Sequence, residues 1–172
     1  MLPEIVTDPS VLETIFTIRW RAFIEIGVPG ALYPDENVRD THDDCGTHFA
    51  LLDGNTVQAA ARISVHHNAS QLPSPHYFSE GSELLSSPIA SMNRLVVPPE
   101  FRSNGYARLL DEHRIEFAKQ QNCESIVIYI HELSGESRLA AVKALGFTCL
   151  YGDRLTEDPF WGGNGHALYL EI

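Results

Sequence analysis

Apolar residues recur along this chain at two spacings, and the switches between them divide it into elements. From Pro9 to about Ile26, the residues Val11, Leu12, Ile15, Ile18, Ala22, Phe23 and Ile26 fall at three- and four-residue steps, which predicts an amphipathic helix. Asp8 stands as its cap, Pro9 at its first position, and Gly27 with Pro29 end it. Arg19 and Arg21 interrupt the apolar pattern and read as its solvated edge rather than as substrate contacts. Glu4 to Thr7 is a short candidate strand before it. Phe49 to Leu52 and Val57 to Val65 flank Asp53-Gly54, a hairpin signal, so these two runs pair antiparallel.

Ile89 to Val97 and Ser125 to Ile130 are near-continuous apolar runs, and the second has the β-branched content of a strand buried on both faces. Between them Tyr106, Leu109, Leu110, Phe117 and Ala118 form one helical stripe from about Ser103 to Gln121, with His113 on the same stripe as a packed residue. Strand, helix and strand in that order make a parallel pair joined by a right-handed crossover. A further helix over about Glu136 to Leu145 stops at Gly146-Phe147, and strands follow at Cys149 to Tyr151 and Gly165 to Leu170. The expectation is one α/β domain over residues 1–172, with a mixed, mostly antiparallel sheet of about six or seven strands and helices on both faces.

Two stretches lack either period. Gly30 to Gly46 is acidic, with Asp35, Glu36, Asp40, His42, Asp43 and Asp44, but its spacing matches no ligand pattern, so it reads as a solvated loop or short helix beside the substrate mouth and no metal is expected. His66 to Pro88 carries His66, His67, His76 and several prolines; a connection this long is usually a lid or a linker. Its histidines have no zinc spacing.

Composition narrows the function. The formal net charge of -11 argues against a nucleic-acid partner, because phosphate backbones are bound by basic surfaces. It is compatible with an amine substrate. No apolar run is long enough for a bilayer and no leader pattern opens the chain, so the cytoplasm is the expected location and no membrane partner is expected. Cys45, Cys123 and Cys149 read as reduced thiols.

The most informative stretch is Ser91 to Ala107. Its strand ends at Val97, prolines 98 and 99 turn the chain, and a helix starts soon after Arg102. The first amides of a helix have no partners and carry partial positive charge; small residues at Gly105 and Ala107 let an anion approach them. Arg102 adds a guanidinium fork suited to phosphate. The corner reads as a pyrophosphate cradle.

Val97 to Ala107, with Pro99-Glu100-Phe101 followed by Arg102-Ser103-Asn104-Gly105-Tyr106-Ala107, resembles the acyl-CoA-binding motif of the GNAT acyltransferase superfamily. The Gly146-Phe147 helix end and the last strand are similar to that family too, so the resemblance spans nearly the whole chain. It implies a GNAT-like acyltransferase fold and an N-acetyltransferase that passes an acetyl group from acetyl-CoA to a primary amine of a small molecule or peptide by direct attack. Leu95, Val96, Val97, Arg102, Ser103, Asn104, Gly105, Tyr106 and Ala107 would then bind the cosubstrate. A monomer and a homodimer both remain open.

Departures from the family pattern bear on proton handling. The tyrosine that many members place four residues before Gly-Phe is Val142 here, and Gly135 stands where an asparagine is often found. The strand Ile89 to Val97 also lacks the family's glutamate. His131, at the carboxyl end of a central strand, is the leading general base, with His66, His67 and His166 as competitors. Asn93 and Arg94 complete the catalytic candidates. Two alternatives stay open. Arg19, Phe23, the acidic stretch, Arg62, Phe78 and Asn93-Arg94-Leu95 resemble the layout of acyl-homoserine-lactone synthases, which share the fold and use longer acyl donors. Against that, Ser91 replaces an expected glutamate and an indole after the first helix is missing. The other alternative is a non-catalytic CoA-binding module. For Arg94, an ion pair with Asp43 or Asp44 and a substrate-orienting role are both open.

Overall fold

The computed structural model describes all 172 residues, Met1–Ile172. A short strand β1 (Glu4–Val6) leads into helix α1 (Pro9–Glu25), whose start is set by Asp8: its carboxylate accepts from the amides of Ser10 at 2.8 Å and Val11 at 3.4 Å. The hairpin follows as β2 (Thr47–Asp53) and β3 (Thr56–His66), in antiparallel register from Thr47 opposite Ile63 to Asp53 opposite Thr56. Gly54 takes φ +57° at the turn, where a side chain would be strained. Next come β4 (Ile89–Val96), helix α2 (Tyr106–Gln120), β5 (Ser125–His131), helix α3 (Glu136–Ala144), β6 (Thr148–Cys149), β7 (Thr156–Glu157) and β8 (Asn164–Glu171).

Backbone hydrogen bonds order the strands β1-β2-β3-β4-β5-β8-β6, with β7 on β8. The expected parallel pair is present, with Ile89, Ala90 and Ser91 opposite Ser125, Ile126 and Val127. The count reaches eight rather than six or seven because β7, a two-residue bridge on β8, is too short to leave a periodic pattern. No helix is long and apolar enough to cross a membrane.

The chain packs as two compact units. One comprises Met1–Ser64 and Asn93–Arg114. Its apolar cluster is Val6, Ile15, Phe16, Ala50, Val57, Ala60 and Val96, with Val11, Leu12, Ile18 and Ala22 of α1 against it. The three- and four-residue steps of α1 thus face this cluster, and burying a side chain such as Ile15 contributes about 1.5–3 kcal/mol. α2 begins three residues later than the pattern suggests, because Ser103 and Gly105 hold φ +64° and +76°, which no helix accommodates.

The other unit comprises Val65–Met92 and Ile115–Ile172. Its cluster joins Leu72, Tyr77, Phe78 and Leu85 to Ile89, Val127, Leu150 and Ala167. The long connection after His66 is therefore no loose lid or linker. It winds through three short 3-10 turns, and Tyr77 together with Leu72, Phe78 and Leu85, the residues that follow each turn, enters the core. At Gly81 a Cβ would lie 2.6 Å from the Leu150 side chain, so close packing excludes any larger residue.

Candidate functional site

Asp40 and Asp43 organise the polar interior of the first unit. The segment expected to be a solvated loop or short helix does form a short 3-10 turn, Thr41–Asp43, but with Asp43 buried, and the turn is closed by reciprocal bonds: Asp40 Oδ1 accepts from the His42 amide at 2.9 Å, and Asp43 Oδ2 from the Asp40 amide at 2.8 Å. This turn aims both carboxylates at arginines. Arg62 Nη1 lies 2.6 Å from Asp40 Oδ1 and 2.7 Å from Asp43 Oδ1, and its Nε donates to Asn93 Oδ1 at 2.7 Å. Arg19 Nη1 donates to Asp43 Oδ1 at 2.7 Å. Arg19 is fully buried, so its reading as a solvated helix edge is corrected: on this face of α1 the cation is held by a buried carboxylate. Gly46 makes room for the cluster, since a Cβ there would lie 2.8 Å from the Arg62 stem.

The electrostatics follow from this packing. Burial alone would raise both carboxyls, but hydrogen bonds from Arg62 and the charges of Arg94 and Arg62 hold Asp40 well below the usual carboxylate range. Asp43 is also lowered: burial opposes, and the charges of Arg19 and Arg62 outweigh it. Burial brings Arg19 down to about 10, still cationic at neutral pH. His48 accepts from Arg19 Nη2 through Nδ1 at 3.1 Å, which leaves the proton on Nε2, 3.1 Å from the Asp43 carbonyl. Burial lowers its pKa as well, so the imidazole is neutral.

Arg94 reaches this cluster from β4. It does not pair with Asp43 or Asp44; its Nη2 and Nε donate to Asp40 Oδ2 at 2.6 and 3.2 Å. The guanidinium lies over the Phe23 ring at 5.6 Å. Its backbone has φ +55° within a strand, a conformation that costs a non-glycine residue about 1–3 kcal/mol and is seen mostly where function requires it. Buried Arg114 supports the strand from α2, donating to the carbonyls of Arg62 at 2.9 Å and Asn93 at 3.2 Å while paired to Asp111.

The corner after β4 differs from its reading in one respect. Residues 102–105 are exposed, and no atom lies within 4 Å of a Cβ built on Gly105. The first α-helical bond runs from the Leu109 amide to the Gly105 carbonyl at 3.0 Å, so the amides ahead of Leu109 point out of the helix end. Arg102, however, is not a free cation. Its Nη1 and Nη2 donate to Glu25 at 2.7 and 2.6 Å and its Nε to the Val97 carbonyl at 3.1 Å.

His131 lies in the second unit and is buried. Nδ1 accepts from the Leu133 amide at 3.1 Å, which puts the proton on Nε2, 2.8 Å from the Gly162 carbonyl. Both ring nitrogens are engaged, and no lone pair is left to accept a substrate proton. The sequence reading missed the group beside it. Tyr77 stacks on Tyr129 at 3.7 Å and donates to Asp158 Oδ2 at 2.6 Å, while Asp158 Oδ1 accepts from the amides of Phe160 and Trp161 at 2.8 and 2.9 Å. Burial pushes the Tyr129 phenol well above its usual range, and its hydroxyl donates to the Thr156 carbonyl. Only the Asp158-Pro159 turn composition hinted at that arrangement. Among the competitors, His66 is buried, His67 is exposed, and His166 Nδ1 lies 3.9 Å from Cys149 Sγ. Val142 is fully buried.

Comparison with known proteins places these features in context. The sequence matches the model of the acetyltransferase (GNAT) family over residues 12–147. No curated protein sequence matches it. Among solved structures, FeeM, an N-acyl amino acid synthase from uncultured soil microbes, is similar with a TM-score of 0.78 at 15% identity, over 99% of this chain and 90% of that one. BjaI, a CoA-dependent acyl-homoserine lactone synthase, aligns at 0.72 and 20% identity over 95% and 77%. Arabidopsis thaliana NAA60 in complex with acetyl-CoA aligns at 0.67 and 14% identity over 99% and 97%. At these identities the likeness is one of fold.

Proposed function

The chain belongs to the acetyltransferase (GNAT) family, and from that premise we propose that it is an N-acyltransferase moving an acetyl group from acetyl-CoA directly to a primary amine of a small molecule or peptide. The observation that carries this reading is the corner from Arg102 to Ala107, exposed at residues 102–105, with open space beside Gly105 ahead of the first α2 hydrogen bond. A helix end of this kind favours a phosphate anion. Arg102 supports the assignment once its exposed pair with Glu25 exchanges for a phosphate oxygen. Leu95, Val96 and Val97 lie just ahead of the corner and would hold the rest of the cosubstrate.

The chemistry asks little of side chains. The amine lone pair forms the C–N bond to the thioester carbonyl carbon, the C–S bond breaks, CoA leaves as the thiolate, and the surplus ammonium proton passes to water. Preorganised backbone amides aimed at the carbonyl oxygen would supply the main stabilisation, a few kcal/mol per donor. His131 takes no proton in this scheme, because both its nitrogens are hydrogen-bonded. Val142 has no proton to give.

One observation favours a second reading, an acyltransferase like the acyl-homoserine-lactone synthases with a longer acyl donor. Of the residues that carried that resemblance, Arg19, Phe23, Asp40 and Asp43 of the acidic stretch, Arg62, Asn93 and Arg94 meet in one cluster, while Phe78 packs in the core of the other unit. Thiol release from acetyl-, hexanoyl- and decanoyl-CoA, scored over an amine panel, tests both readings at once. For the cradle, Gly105→Trp places a side chain at φ +76° and in the phosphate's path. Calorimetry should show CoA affinity falling about tenfold or more, equivalent to ~1.4 kcal/mol. Unchanged affinity in a folded variant rejects the placement.

A further inference from the structure

We propose that Cys149 is a site of S-acylation: with His166 as its base, its thiol takes the acyl group from an acyl-CoA and keeps it as a protein-bound thioester. This is a second acyl-transfer activity, beyond the N-acyltransferase reading, in which the amine attacks directly and no cysteine takes part. It stands on a pairing that only the sheet creates. Cys149 and His166 are 17 positions apart, and the antiparallel register of β6 on β8, with Thr148 opposite Tyr169 and Cys149 opposite Leu168, brings Cys149 Sγ to 3.9 Å from His166 Nδ1. With Nδ1 accepting from the thiol, the ring proton stays on Nε2, which makes no hydrogen bond within the protein. His166 thus keeps a lone pair turned to a nucleophile, whereas both nitrogens of His131 are spent on the backbone. A thiol within reach of such an imidazole is a source of the thiolate that attacks.

The surroundings suit a thioester. β6 ends the strand order, so no strand covers its outer edge, and both residues are half-buried rather than sealed in the core. Ile130 stands opposite His166 and Ile128 opposite Leu168; paired residues share a face, so an apolar strip adjoins the sulfur on which an acyl group can lie. The other cysteines each lack one requirement. Cys45 is exposed, but its thiol meets the His42 backbone carbonyl at 3.7 Å, which takes no proton. Cys123 is buried, and burial pushes its thiol up. In the transfer, Cys149 Sγ gives its proton to His166 Nδ1 and forms a bond to the thioester carbonyl carbon. The C–S bond to CoA breaks, and the CoA thiolate takes the proton back from the imidazolium. One thioester replaces another, so the step needs no oxidant and no energy source, and the occupancy of Cys149 follows the ratio of acyl-CoA to free CoA.

The test incubates the full chain with acetyl-CoA, without any amine, and follows each cysteine by intact mass and peptide mapping. Cys149 should gain an acetyl group that neutral hydroxylamine removes, as it does a thioester and not an amide. Its rate should exceed that of Cys45 by about tenfold or more even though Cys45 is the more exposed thiol, because a positioned base is worth about 10²–10⁴ and half-burial offsets only part of that. This comparison is made within the wild-type protein and depends on no variant. His166→Gln keeps a hydrogen-bonding side chain without the base, so the Cys149 rate should fall about tenfold or more while the Cys45 rate, an internal control for the fold, is unchanged. Acetylation of Cys149 no faster than that of Cys45, a product that resists hydroxylamine, or a Cys149 rate indifferent to His166→Gln overturns the assignment.

Discussion

Replacing Asp43 with asparagine tests the buried cluster most directly. The side chain is 1% exposed, as are those of Arg19 and Arg62, so solvent screens none of these contacts appreciably. Asp43→Asn keeps the shape and one acceptor but removes the charge shared by both guanidiniums, leaving Asp40 as the one carboxylate facing three arginines. Removing one partner of a buried pair costs about 3–5 kcal/mol, and the retained amide oxygen puts the expectation near ~3 kcal/mol. In a chain of this size that corresponds to a fall in Tm of about 6–12 °C. Urea unfolding at neutral pH reads the free energy. A loss under about 1 kcal/mol, the size of a surface pair, would refute the reasoning. The pH dependence supplies an independent check. Burial acts to raise the Asp43 carboxyl, but Arg19 and Arg62 outweigh it, so the folded pKa lies below the unfolded one. Stability from such a group is fully present above the unfolded value of about 3.9 and is lost as pH falls through the folded pKa. The gap between wild type and Asp43→Asn should therefore hold from neutral pH to about 5 and narrow below about 4. Narrowing as pH rises from neutral, still below the Arg19 value of about 10, would contradict the assignment.

Two further outcomes are expected. Glu25→Gln frees Arg102 from an exposed pair, so the melting temperature should stay unchanged while CoA binds a few fold more tightly at low salt, with the gain shrinking as salt rises. Calorimetry showing unchanged or weaker binding would remove Arg102 from the phosphate contacts. His131→Gln should cost about 1–2 kcal/mol of stability through the lost bonds to Leu133 and Gly162, yet keep the shape of the kcat/KM pH profile. Disappearance of an inflection would restore His131 as the base.

Local periodicity and short-range turn chemistry made much of this protein legible from its residues alone. The cap at Asp8, the Asp53-Gly54 hairpin, the parallel pairing of β4 with β5 and the glycine stop after α3 each depend on neighbours within a few positions, or on a crossover rule that needs only element order. The corner at Gly105 belongs to the same class, since a strand, a turn and a helix start are local events.

What the residues could not declare was which charges would meet. Arg19 and Asp43 are 24 positions apart, Arg62 and Asp40 22, and Arg94 and Asp40 54, and no periodicity links such partners. A charged residue in a pattern looks solvated until packing removes its water; only the fold of the 3-10 turn against α1, β3 and β4 turned an acidic loop into a buried ion cluster. The same holds for His131. Its place at a strand end suggested a base, but the Leu133 amide and the Gly162 carbonyl took both ring nitrogens. Pattern determines where elements begin and which face is apolar, because those energies are local. Tertiary structure decides protonation and pairing, because these depend on atoms brought within 3 Å from distant parts of the chain.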